Sequence, residues 1–166
     1  THSTGRRQRQ MCIRDRCTAL LAGNFFAFSA FFLRALGGLT AERGIVAMQA
    51  TVGAIKAPVF LVLFFGTALL CLALGAMTIF TWREDHAHYA FAGAALFLIG
   101  GFGVTMLRSV PLNNALLAAS PDADGARDQW HRYRLAWLRW NHVRAITTLL
   151  ACACFMLALA EIGMPF

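Results

Sequence analysis

The sequence predicts an all-α protein: a four-transmembrane-helix bundle, with an interfacial helix between spans 1 and 2 and a long helix leading into span 4. Three observations predict it. The 166 residues are 58% hydrophobic and only 14% charged, too apolar for an ordinary soluble domain of this size. Four apolar runs are each long enough to cross the ~30 Å hydrocarbon layer as a helix. The stretch 130–144, holding three of the four tryptophans, two histidines and four arginines, enters the last of those runs without a breaker.

The formal charge of +7 suggests nucleic acid, but its source argues otherwise. Residues 1–16 carry five arginines against Asp15, a net +4 that leaves +3 for the rest. This segment has no apolar stretch or cleavage site of a signal peptide. It resembles translated sequencing-adaptor read-through, so 1–17 reads as a non-native N-terminal segment and 18–166 as one integral membrane domain. No nucleic-acid partner is expected. Membrane lipids are, and the apolar surface also allows a homo-oligomer.

The first span is expected at about 18–36, with Phe25, Phe28 and Phe32 in a stripe beside Ser29. Residues 40–56 are too polar to span. Thr40 can cap a short helix there, and Ile45, Met48, Val52 and Ile55 recur on one face, as in a helix lying at the membrane surface. The second span, about 57–82, opens with Pro58, tolerated in a first turn, and ends at Trp82-Arg83. A short polar link then makes a hairpin with the third span, about 89–107, where Gly93, Gly100 and Gly103 form a groove for a neighbouring helix. Pro111 is expected to break that helix. A helix from about Ala126 leads into the fourth span, about 143–162, closed by Gly163 and Pro165.

The first and third connections lie on one side and carry Arg34, Arg43, Lys56, Arg108, Arg127, Arg132, Arg134, Arg139 and Arg144, whereas the other side has Arg83. The positive-inside rule puts loops 37–56 and 108–142 in the cytoplasm and both termini outside a cell membrane crossed several times.

On a helix at about 100° per residue, Trp130, Tyr133, Trp137, Trp140, Asn141 and Arg144 share one arc. His131, Leu135, Leu138 and His142 take a second face. Tryptophans and arginines at such a mouth commonly anchor in the interface or snorkel, the reading favoured for Trp130, Arg132, Arg134 and Arg139. Short Asn and His side chains cannot snorkel far. Asn113, Asn141, His142 and Arg144 therefore form the candidate site, since ionisable groups at this depth face a bundle interior or cavity. No protein-ligated metal is expected. His131 and His142 are eleven residues apart, about 16 Å along a helix, and zinc–nitrogen bonds are ~2 Å. Cys152 and Cys154 point to opposite sides of one helix.

Several pieces carry a resemblance: Phe25-Phe26-Ala27-Phe28-Ser29, Ala47-Met48-Gln49-Ala50, Phe65-Gly66-Thr67-Ala68, Val110-Pro111-Leu112-Asn113 and Trp137-Leu138-Arg139-Trp140-Asn141-His142-Val143-Arg144. From residue 18 onward the chain resembles the anthrone-oxygenase-like family of small four-span membrane proteins, long catalogued as a domain of unknown function. It departs at Arg108-Ser109, where the family tends to have an aromatic residue and an Asn, and at Lys56-Ala57-Pro58, where an Asn before the proline is common.

The resemblance implies oxidation of anthrones, or other hydrophobic aromatic small molecules, to quinones with no cofactor. His142 would serve as base and Arg144 would stabilise the developing oxyanion. Asn113 and Asn141 would orient the phenolic oxygens, and Trp137, Trp140 and Phe28 would bind the flat ring system. The competing readings are a non-catalytic membrane protein that binds a lipid or quinone-like ligand or assists a complex, and a transporter. No broken-helix pair supports the last.

Overall fold

The structure, a computed structural model, describes residues 16–163. The expectation for segment 1–17 falls almost wholly outside them, as does Pro165. Five helices follow in order: α1 Arg16–Gly37, α2 Ala41–Ile55, α3 Pro58–Phe80, α4 His86–Leu117 and α5 Ala126–Gly163. Among the described residues there is no strand.

Helices α1, α3, α4 and the body of α5 are long and apolar enough to cross a membrane, which makes this a multi-pass membrane protein. Their outward faces are apolar: Phe26, Val62, Leu69, Ile99, Leu107, Ile146 and Leu149 are all exposed, as contact with lipid tails requires. The inward faces hold Leu21, Phe25, Phe64, Cys71, Ala90, Ala94, Phe97, Ala151, Phe155 and Ala158 in one core. Small residues let α4 and α5 approach closely: a Cβ at Gly93 would lie 2.7 Å from the Phe155 ring, and one at Gly100 would overlap Thr147. The expected glycine groove is therefore present at Gly93 and Gly100. Gly103 is not part of it, since a Cβ there would meet only its own helix.

A second core lies beyond the first. Helices α4 and α5 have 32 and 38 residues, about 48 and 57 Å of helix, well over the ~30 Å hydrocarbon layer. Their overhanging ends, with the end of α1 and the apolar face of α2, enclose Leu33, Leu36, Ile45, Met48, Val52, Leu116, Trp130, Tyr133 and Trp137. The expected face of α2 is the buried one. This cap corrects the anchoring expectation for two residues. Trp130 is buried against Gly44 rather than lodged among lipid headgroups. Arg134 donates through Nη1 to the Gly37 carbonyl, 3.4 Å away, at the end of α1. Thr40 stands at the start of α2 as expected, but its hydroxyl makes no capping bond.

Pro111 does not break α4. Two wide π-helical segments, Phe97–Gly103 and Thr105–Ser109, precede an α-helical stretch Val110–Leu117. Pro111 takes a first-turn position in that stretch, where its missing N–H and fixed φ are tolerated. The third span expected at 89–107 thus lies inside a longer helix. The cap holds the end of that helix through Gln49, whose Nε2 donates to the carbonyls of Leu116 (2.9 Å) and Ala119 (3.0 Å). Both carbonyls lie at the end of α4 or just beyond it, where the helical ladder runs out, and the Leu116 carbonyl also accepts from the Ala119 N–H. Gln49→Ala should cost about 1–2 kcal/mol, read as a lower melting temperature of the detergent-solubilised protein.

At the opposite end, the link between α3 and α4 pairs Trp82 with His88 and Phe91, and His86 Nε2 with Glu84 at 3.3 Å. His86 and His88 are thereby remote from the candidate site.

Candidate functional site

The inward stripe of α5 changes character along its length. Trp130, Tyr133 and Trp137 face the cap, Thr148, Ala151 and Phe155 face the intramembrane core, and Asn141 and Arg144 lie between them, all buried. At that junction α1 crosses α5. Asn141, with no exposed surface, donates through Nδ2 to the Phe25 carbonyl (2.8 Å) and to Ser29 Oγ (2.7 Å). Its Oδ1 accepts from Arg144 Nη2 at 2.5 Å.

Arg144 is the centre of the arrangement. Only 6% of it is exposed. Nη1 donates to Thr105 Oγ1 at 3.3 Å, and the Thr105 hydroxyl in turn donates to the Gly101 carbonyl at 2.7 Å. The guanidinium lies 4.6 Å from the centre of the Phe25 ring and 5.2 Å from that of Trp137, geometry in which cation–π attraction is appreciable. Nε has no hydrogen-bond partner, and among the described residues no carboxylate pairs with the charge. A buried cation held by neutral groups alone is costly.

Across from it, Asn113 Oδ1 accepts from both Tyr133 Oη and Trp137 Nε1, each at 3.0 Å. Trp137 packs on Phe28, with ring centres 5.6 Å apart. These groups enclose a cavity of about 150 Å³, the scale of a hollow that holds one aromatic ring. Its walls draw on both cores: Phe25, Phe28 and Phe64 with Thr105, Asn113, Trp137 and Arg144. Its rim includes Lys56, Phe65, Val110 and Asn114, all exposed, so a ligand larger than one ring can extend outward. Three larger hollows, two beside Asp122 and one on the lipid-facing side of α1 and α5, contain no buried polar side chain.

Of the residues singled out from sequence, Asn113, Arg144, Trp137 and Phe28 line this cavity together. Asn141 sits directly behind Arg144. His142 does not reach the wall: it is exposed on the outer side of α5, with Nδ1 2.9 Å from Ser29 Oγ. Trp140 is half-buried between Arg108 and Arg139, whose guanidinium carbons lie 4.9 and 5.7 Å from its ring centre. Thr105 and the α3 aromatics were not foreseen. Helical periodicity puts Tyr133 on the buried face but gives it no role, and its pairing with Asn113 spans 20 residues with no spacing pattern to reveal it. Among the described residues no three His, Cys, Asp or Glu side chains gather where a metal ion could be held.

A model of the anthrone oxygenase family matches residues 60–154. The matched stretch contains Thr105, Asn113, Trp137, Asn141 and Arg144, and begins after Phe25 and Phe28. No curated protein and no solved structure matches the chain.

Proposed function

Because the chain belongs to the anthrone oxygenase family, we propose that it is a membrane-embedded oxygenase of anthrone-like or other phenolic aromatic substrates. The observation that carries this reading is Arg144: a buried guanidinium without a carboxylate, at the back of an aromatic-walled cavity where the membrane core meets the cap. Such a cation favours a ligand that develops negative charge, and a low-dielectric site strengthens the effect.

An anthrone has that property. Loss of a C–H proton gives an enolate whose charge rests largely on oxygen, beside Arg144. The enolate is the reductant: two electrons pass to O₂ as a C–O bond forms, giving a peroxide. Loss of water from the peroxide leaves the second carbonyl, so one oxygen atom enters the quinone and the other leaves as water. Phe28 and Trp137, tilted 47° to one another, supply aromatic contact to the ring system. The substrate arrives from the lipid through the rim, and the arginine-rich cap faces the cytoplasm of the cell membrane.

In this reading His142 positions Ser29, and through it Asn141 and Arg144, while the substrate proton leaves to water at the rim. Purified protein given an anthrone should consume one O₂ per quinone formed. His142→Ala should keep kcat within about threefold, whereas loss of a true general base costs about a hundredfold or more. A hundredfold loss restored by added imidazole would return the base to His142. Ligand binding without oxygen consumption would make the protein a non-catalytic binder.

A further inference from the structure

Asn113 is held in one orientation. The indole N–H of Trp137 can only donate, so the atom 3.0 Å from it must be the amide oxygen, and the Tyr133 hydroxyl donates to the same oxygen at 3.0 Å. An oxygen that accepts twice fixes the amide plane and turns Nδ2 away from both aromatics. Among the described residues Nδ2 has no protein partner, and Asn113 lines the cavity. The other fixed group on the wall is Arg144, whose Nη1 and Nη2 each give one N–H to a neighbour and keep another, while its Nε is wholly buried without a partner. Asn24, Ser109 and Asn114, also in the wall, can rotate to give or accept. Thr105 is fixed, its proton committed to the Gly101 carbonyl and its oxygen accepting from Arg144, so the fixed groups with a hydrogen bond still to give are the N–H donors of Asn113 and Arg144.

We infer that Asn113 and Arg144 select the ligand by its charge, so that the cavity takes a planar aromatic molecule with an ionised hydroxyl facing them and disfavours a neutral hydroxyl there. This rests on the proposed reading of the cavity as an aromatic-ligand site and adds which protonation state it holds. A neutral phenol brings its own O–H against a wall of N–H groups. The phenolate brings only lone pairs and gains hydrogen bonds strengthened by charge. Asn113 is thus a specificity-determining residue whose orientation Tyr133 and Trp137 maintain. Lys56, exposed at the rim, adds positive charge on the route inward.

The probe is a monohydroxyanthraquinone, whose visible absorption moves to longer wavelength on ionisation, beside its O-methyl ether, which cannot ionise. Both are titrated into the full chain in detergent micelles at a pH where the free hydroxyquinone is neutral, with protein-free micelles as blank. The wild type should hold the hydroxyquinone with the spectrum of its anion and bind the ether about tenfold more weakly, the scale of one charge-assisted hydrogen bond. Asn113→Asp keeps two acceptors for Tyr133 and Trp137 but puts a negative charge in place of the N–H groups. It should abolish the anion spectrum, weaken the hydroxyquinone about tenfold and change the ether less than about threefold. A hydroxyquinone bound by the wild type with a neutral spectrum, or an Asn113→Asp protein that still shows the anion, overturns the inference and leaves the aromatic-site reading standing. The ether comparison needs no variant, so it decides the matter even if Asn113→Asp does not fold. A wild type that binds neither compound overturns both.

Discussion

Arg144→Met should yield a protein that melts close to the parent and turns substrate over about 10²–10³-fold more slowly. The two halves of this expectation have different origins. Arg144 is buried with neutral partners and an unsatisfied Nε, and a buried ion carries a desolvation cost of several kcal/mol that an apolar side chain does not. Methionine fits between Phe25 and Trp137, where a thioether is well accommodated. Against that, Asn141 Oδ1 loses its partner, which costs about 1–3 kcal/mol if nothing replaces it. The balance lies near zero, and the adjoining cavity admits water to the freed oxygen. Turnover, by contrast, should fall about 10²–10³-fold, the usual loss when one group that stabilises an oxyanion is removed. Arg144→Lys keeps the charge but not the planar group that stacks between two rings, so it should recover only part of the rate. Thermal melting and oxygen consumption on the same preparations separate the effects. A variant that unfolds would make Arg144 a structural residue, and one that remains active would remove it from the chemistry.

The reach of sequence reasoning follows from the range of the interactions involved. The arc of α5 was legible because it depends only on 100° steps along one helix. Trp130, Tyr133, Trp137, Asn141 and Arg144 are all buried on that arc, while His131, Leu135 and His142, on the second face, are exposed. The same geometry separates His142 from the cavity. The buried face of α2 was legible for the same reason. What covers these faces was not. Asn141 meets the Phe25 carbonyl across 116 residues, and Gln49 meets Leu116 across 67, and no local pattern encodes either contact. Trp130 therefore reads as an interfacial anchor until α2 is seen to cover it.

Pro111 illustrates a second kind of miss. A proline inside an apolar helix usually ends or kinks it, because a hydrogen bond is lost and the ring clashes with the preceding turn. Here the π-helical segment Thr105–Ser109 comes just before it, and helix continues through Pro111 to Leu117. π-turns occur frequently at functional sites, and this one contains Thr105 and Ser109, both in the cavity wall. The continued helix also carries Asn113 to its place opposite Arg144. A helix ending at Ser109 would have left that position to a loop.

Gly93→Ala should destabilise the bundle although it favours helix formation locally. A Cβ at Gly93 would stand 2.7 Å from Phe155 Cε1 and 3.1 Å from the Ala151 carbonyl oxygen. Neither can yield readily: Phe155 is fully packed in the intramembrane core, and the oxygen belongs to the α5 backbone. Relief requires α4 and α5 to separate, at about 1–3 kcal/mol for an overpacked methyl group, against about 1 kcal/mol gained in helix propensity. Gly66→Ala is the matched control, because a Cβ there meets nothing within 4 Å and only the propensity gain of up to about 1 kcal/mol remains. The two variants should move the melting temperature in opposite directions. The displacement also has a functional cost, since α4 supplies Thr105 and Asn113 and α5 supplies Trp137 and Arg144. Gly93 lies twelve residues from Thr105, about 18 Å along the helix. A shift of about 1 Å transmitted along rigid helices can reduce turnover about a hundredfold. If Gly93→Ala melts higher than the parent and keeps full activity, the close approach of α4 to α5 is not what sets the geometry of the site.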